Sequence, residues 1–133
     1  MTEYIPKREA ELKSKFGEEV KRQLPDFLSL SYSTNGAPDR EIIGAGITTR
    51  WEFKFATPTF RSPGDQELMC MRLAAAGHCR YVLWRETKGI QKTMIVHPKA
   101  VYHRAGWEID AEAWCVGFDM KWLIDYVRKE HRQ

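Results

Sequence analysis

The sequence predicts a single α/β domain. The expected order is helix, three-stranded meander, helix, strand, followed by a helical C-terminal extension. Three observations carry this reading. Residues 6–24 read as an amphipathic helix, with Leu12, Phe16, Val20 and Leu24 on one side together with Ile5 just before it, at spacings of seven and four. Arg50 to Phe55 alternates strictly, with Trp51, Phe53 and Phe55 on one face and Arg50, Glu52 and Lys54 on the other. A second helical segment then runs into the apolar strand Cys79 to Arg85 through a short Gly77-His78 link, the signature of a parallel crossover.

Pro6 suits the first turn of the opening helix, and Pro25 ends it. Residues 27–34 alternate as a strand, and Asn35-Gly36 is a turn signal. A second strand begins near Asp39 and carries Ile42 and Ile43. Gly44-Ala45-Gly46 turns it into the third, 50–55. Ser62-Pro63-Gly64-Asp65 reads as a helix start, with Ser62 as N-cap and Pro63 at the first helical position. Gly77 stops that helix, whose inner line is Gln66, Met69, Cys70, Leu73 and Ala76. The strand at 79–85 is expected to lie parallel to 50–55. Residues 92–97 read as an edge strand and 98–103 as a short helix, while 106–117 has no clear pattern. Asp119 reads as the N-cap of a last helix containing Met120, Leu123, Tyr126 and Val127.

At 133 residues the chain is long enough for one core and not for two. Its composition, 43% hydrophobic and 29% charged, is that of a globular protein, and no run has the apolar length of a membrane span. The opening Met1-Thr2-Glu3-Tyr4 lacks an apolar signal core, so the expectation is a cytoplasmic chain, cellular or phage-encoded. Cys70, Cys79 and Cys115 are odd in number and sit in apolar contexts, as buried small hydrophobes rather than disulfides or metal ligands. His78, His97, His103 and His131 are scattered without ligand spacing and read as structural or surface residues. A net charge of +3 permits a nucleic-acid partner without requiring one.

The candidate chemistry gathers around the third strand. Glu52 and Lys54 stand side by side on the face opposite the aromatics, and Pro38-Asp39 opens the strand before it. Taken singly, Glu52 with Lys54 is a solvated pair and Asp39 a turn aspartate. Glu9 falls about 60° from Leu12 on the helical wheel, within the apolar stripe, and Glu19 lies at its edge. A carboxylate there needs a cation partner, unless it frays into water or offsets the helix dipole. Gln66 opens the inner line of the second helix, where a solvated glutamine is the common alternative.

The order of elements, with Pro38-Asp39 before the second strand and Glu52-Phe53-Lys54 in the third, resembles the PD-(D/E)xK nuclease superfamily. Glu9, Asp39, Glu52 and Lys54 are similar in order and interval to the site residues of archaeal-type Holliday junction resolvases, and Glu9-Ala10-Glu11-Leu12 looks like the start of their first helix. Trp51 to Arg85 also resembles VRR-NUC domains, through Glu52, Lys54, Gln66, the small-residue end Leu73-Ala74-Ala75-Ala76-Gly77, and Tyr81-Val82-Leu83-Trp84-Arg85. The resemblance covers about residues 7–86; residues 87–133 match no motif, and the arginine-rich tail of VRR-NUC domains is not evident.

The resemblance implies a restriction-endonuclease-like core and a Mg²⁺-dependent DNA endonuclease, with Mn²⁺ as a substitute ion. It implies Asp39, Glu52, the Phe53 carbonyl and Glu9 as metal ligands. Lys54 would orient the attacking water, and Gln66 would orient the lysine or contact phosphate. Ser31 or Ser33 would hydrogen-bond phosphate near the cut. Arg40 beside Asp39, and Arg61 in the following loop, are candidate phosphate contacts, against the commoner solvated arginine. The expected substrate is branched DNA, a four-way junction, cut by a symmetric homodimer. A nickase, flap or repair nuclease is the alternative, and a catalytically idle nucleic-acid-binding module the third. Trp107, Trp114 and Trp122 are candidates for a dimer surface, weighed against packing on the domain's own core.

Overall fold

The computed structural model describes residues 9–31, 38–56, 64–87, 90–101 and 110–132. The described residues form an α/β fold with one mixed six-stranded sheet and four helices. The elements are α1 (Glu9–Gln23), β1 (Leu28–Leu30), β2 (Arg40–Gly44), β3 (Ile47–Ala56), α2 (Gly64–Ala76), β4 (Arg80–Thr87), β5 (Ile90–Val96), α3 (Pro98–Val101), β6 (Ala113–Val116) and α4 (Met120–Glu130). The strands lie in chain order, β1 to β6. Only β3 and β4 are parallel, with Glu52 opposite Tyr81 and Phe53 opposite Val82. The α2 crossover makes that pairing possible, as expected from the helix–link–strand pattern. Among the described residues, no helix is long and apolar enough to cross a membrane.

The turn between β2 and β3 has two residues, Ala45 with φ 55° and Gly46 with φ 77°. Two left-handed residues in a two-residue loop match the right-handed twist of the flanking strands. This seats β2 and β3 in antiparallel register from Gly44 opposite Ile47 to Arg40 opposite Trp51.

Alternation along the strands divides the interior into two layers. Trp51, Phe53, Ile42, Val82, Trp84 and Ile95 face α1 and α4, packing on Leu12, Phe16, Val20, Leu123, Ile124 and Val127. Tyr81, Leu83, Met94 and Val96 face α2, packing with Cys70 and Cys79. Glu52 and Lys54 share the sheet face of Tyr81 and Leu83.

The C-terminal extension departs from expectation. It is not only helical: the strand expected at 92–97 is present as β5, but it lies inside the sheet between β4 and β6 rather than at the edge, and β6 is a further strand. The centre of β5, Met94-Ile95-Val96, is a continuous apolar run buried on both faces, and such a run does not say whether strands flank it on one edge or on two. The edge is β6, four residues long, too short for a clear period. Asp119 caps α4 as expected, its carboxylate accepting from the Trp122 N–H at 3.1 Å. The tip of α4 is tied down by His131, which is buried. Its Nδ1–H donates to the Gly44 carbonyl (2.9 Å), while Nε2 lies 2.8 Å from Thr49 Oγ1. Thr49 Oγ1 in turn accepts from the Trp51 indole N–H at 2.8 Å.

Candidate active site

Continuing the β2–β3 register beyond Arg40 sets Asp39 beside Glu52 and Pro38 opposite Phe53. Proline has no N–H to offer the Phe53 carbonyl, so the ladder ends there. The Asp39 side chain takes over: its Oδ2 accepts the Phe53 N–H at 2.8 Å. The N–H and C=O of one strand residue project to the same side, so the Phe53 carbonyl is also directed toward Asp39. A proline followed by an aspartate thus parts two strands and delivers a carboxylate into the gap.

Glu52 lies next to this point and is only 1% exposed. Its Oε2 is 3.4 Å from Lys54 Nζ, in an ion pair along the same strand face. Burial, then the negative charge of Asp39, pushes the Glu52 carboxyl up to about 8, while Lys54 pulls it back. Two carboxylates are therefore close enough to repel in a site of low dielectric.

A second ammonium comes from α1. Lys13 Nζ is 2.8 Å from Asp39 Oδ1. Each carboxylate thus has its own lysine, and Asp39 has one oxygen on backbone and the other on an ammonium. Behind the pair stands the buried Cys70 of α2. Hydrogen bonds with Cys79 and Tyr81 hold its thiol below the ordinary value, and the same bond with Cys70, followed by burial, pushes the Cys79 thiol up. All three cysteines are free, and Cys70 and Cys79 are buried as expected.

Asp39, Glu52, Phe53 and Lys54 are brought together partway along β3, beside the start of β2. Ser31 is exposed and follows β1 at the end of the sheet where β2 begins. Arg40 is not brought to this cluster: it stands opposite Trp51, on the other sheet face. A Cβ added to Gly17 of α1 would meet its Nη2 at 2.8 Å, so the absent side chain at Gly17 is what lets the guanidinium lie against the helix. The side chains of Glu9 and Gln66, and Ser33, Arg61, Ser62, Pro63, His103 and Trp107 entirely, lie outside the described residues. Glu19, at the edge of the helical stripe, is engaged within α1 by Arg22, Gln23 and Lys15. The first two hydrogen bonds hold its carboxyl below the ordinary value.

Lys13 carries no mark of its own as a site residue in the sequence, and Cys70, expected and found as a buried small hydrophobe, also stands close enough to act on Glu52. Lys13 lies four residues after Glu9, on the same helical row, and that spacing was the available signal. The histidines are structural where described. His78 Nδ1 accepts the Arg50 N–H at 3.2 Å beside the Trp51 ring, and burial first, then the charge of Arg80, pushes its pKa down to about 4. Trp122 packs against the α1–α4 core, whereas Trp114 on β6 is 55% exposed.

The donor set suits a hard divalent cation. It offers two carboxylates and a backbone carbonyl, all oxygen, as Mg²⁺ prefers. The mutual repulsion of Asp39 and Glu52 is what such an ion would relieve. Among the described residues no group of three or more His, Cys, Asp or Glu is assembled around one point, and the Glu9 carboxylate is not among those described. No protein-family model matches the chain, and no curated protein matches it.

Proposed function

We propose that the chain is a Mg²⁺-dependent DNA endonuclease with a restriction-endonuclease-like core, selective for four-way junctions in the manner of the Holliday junction resolvases it resembles. The observation that supports this most is the Asp39 carboxylate held on the Phe53 N–H, beside the buried Glu52 and its Lys54. Neither a solvated cross-strand pair nor a turn aspartate accounts for that. A solvated pair does not sit at 1% exposure, and a turn aspartate bonds its own turn rather than a strand 14 residues on.

Asp39, Glu52 and the Phe53 carbonyl would hold Mg²⁺, with Glu9 as a further ligand. When bound, the ion would activate water and neutralise phosphate charge. The protein's own part is positional. Lys54 is fixed 3.4 Å from Glu52 and 19% exposed, so its ammonium can orient a water and stabilise charge developing on the phosphoryl oxygens. The aromatic face of β3 keeps the strand from receding. Ser31 at the open end of the sheet can hydrogen-bond a phosphate, and Arg40 would act on DNA only by leaving Gly17. The assembly we propose is a symmetric homodimer, and exposed Trp114 and Val116 on β6 supply apolar surface for it.

The test is cleavage of a labelled four-way junction beside linear duplex, single strand and flap, with Mg²⁺ and with EDTA. Metal-dependent cutting of the junction is expected. Cutting of linear or single-stranded DNA alone would replace the resolvase reading with a less selective nuclease, and no metal-dependent cutting of any substrate would remove the enzyme reading. Mass by light scattering tests the dimer.

A further inference from the structure

We propose that Lys13 is a displaceable counter-ion. Its ammonium holds the Asp39 oxygen in the metal-free protein, gives way when a divalent cation binds, and then becomes a contact for substrate phosphate. The inference rests on the metal reading above and concerns a residue which that reading does not use.

The geometry leads there in three steps. Asp39 Oδ2 is committed to the Phe53 N–H, which makes Oδ1 the oxygen available to a cation. Lys13 Nζ stands 2.8 Å from that oxygen. An ammonium and a divalent cation on one carboxylate oxygen would repel at a distance of a few ångströms in a partly dry site, so the two are alternatives. The lysine is also equipped to leave. Its side chain is 35% exposed, against 19% for Lys54, and it reaches the site from a different element, on a four-carbon stem with three rotatable donors. Released, it stays tethered within reach of the same gap in the sheet, where a phosphate bound to the metal would carry the neighbouring negative charge. Lys54, by contrast, is paired with a buried carboxylate on its own strand and has little room to exchange. The site therefore carries two ammonium groups with different tasks: one fixed, one exchangeable.

The experiment is Mn²⁺ binding to the full chain without DNA, followed by the loss of free Mn²⁺ signal in electron paramagnetic resonance. The variants are Lys13→Gln, Lys13→Arg, Asp39→Asn and, as an equal charge change elsewhere on α1, Lys15→Gln. Lys13→Gln should bind Mn²⁺ on the order of tenfold more tightly than wild type because the competing charge is gone. Lys13→Arg and Lys15→Gln should stay within about twofold, and Asp39→Asn should lose the site. A Lys13→Gln affinity equal to or weaker than wild type overturns the proposal, since the lysine would then only be ordering Asp39. Absence of Asp39-dependent Mn²⁺ binding in every variant overturns the metal reading itself.

The second half is read from junction binding in a Lys54→Ala background, which blocks turnover. There Lys13→Gln should weaken binding and reduce the salt slope by about one when Mn²⁺ is present, with no change in EDTA. Equal weakening in both conditions would make Lys13 a permanent DNA contact and overturn the exchange.

Discussion

Glu52→Gln should make the metal-free protein more stable, and by an amount that depends on pH. The substitution keeps the shape of the side chain and an oxygen able to accept from Lys54, so what it removes is the ionisation. Burial and the charge of Asp39 raise the folded-state value of Glu52 from 4.5 to about 8. The fold therefore holds the proton more tightly than the unfolded chain does. That contribution is complete below pH 4.5 and is lost as pH rises toward about 8. Each pH unit across this window costs the wild type about 1.4 kcal/mol. The variant pays none of it. Glu52→Gln should thus match wild type at pH 4.5, exceed it by about 3 kcal/mol at pH 7, and exceed it by on the order of 5 kcal/mol above pH 8.

Urea unfolding of both proteins in EDTA at pH 5, 7 and 8.5 measures this directly, and at pH 7 the melting temperatures should differ by on the order of 10 °C. His78 acts in the opposite sense. Its value, held down to about 4 by burial, makes the fold less stable as pH falls from 6.5. Both proteins carry His78, so the difference between them isolates Glu52. Saturating Mg²⁺ should stabilise wild type, by about 2.7 kcal/mol at a hundred times the dissociation constant, and leave the variant nearly unmoved. A stability difference that is flat in pH, or that favours wild type increasingly above pH 7, would mean that Glu52 is already ionised in the fold and that the Asp39–Glu52 repulsion has been misjudged.

Asp39→Ala and Lys54→Ala should each reduce Mg²⁺-dependent cleavage by about a hundredfold or more while DNA binding in a gel-shift assay survives. His131→Ala should cost about 2 kcal/mol in urea unfolding, because the buried Thr49 hydroxyl and the half-buried Gly44 carbonyl both lose a partner. Ala45→Gly should stabilise by about 0.5 to 1 kcal/mol, since a φ of 55° strains alanine and not glycine.

Much of the fold was legible because local chemistry and tertiary packing agree along the first two-thirds of the described chain. The strict alternation at 50–55 appears as two opposite sheet faces, and the Gly77-His78 link appears as a parallel crossover. What was not legible depends on neighbours. Met94-Ile95-Val96 could not declare itself interior, because a strand buried on both faces looks the same whichever strand lies beside it. Within the site, Asp39, Glu52 and Lys54 stood out only through the resemblance that their order and interval carry, since singly they read as a turn aspartate and a solvated pair; the fold brings them together. Arg40 was grouped with Asp39 because the two are adjacent in sequence. In a strand that adjacency sends them to opposite faces. Lys13 is harder to read for the converse reason: a helix and a strand-entry loop 26 residues apart meet only after folding, and its spacing from Glu9 puts it on the right helical row without marking which carboxylate it will find.

The cost of burying Glu52 has to be met by something that prevents its strand from simply turning over or fraying, and the opposite face of β3 is built for that. Trp51 and Phe53 pack on Phe16 of α1 at ring separations of 6.5 and 4.9 Å, and Trp51 also meets His78 at 5.0 Å. The Trp51 indole is hydrogen-bonded to Thr49, whose hydroxyl meets His131 at the end of α4. A one-residue slip of β3 would carry these aromatics into the carboxylate face and Glu52 into the aromatic one, so the register cannot relax by a small step. The energy that disfavours a charged Glu52 is thus held in place by the burial of the residues on either side of it. That is why the acid and its lysine sit in the middle of a long internal strand rather than on a loop: a loop would let the carboxylate escape to water, and the pressure for a cation would be gone.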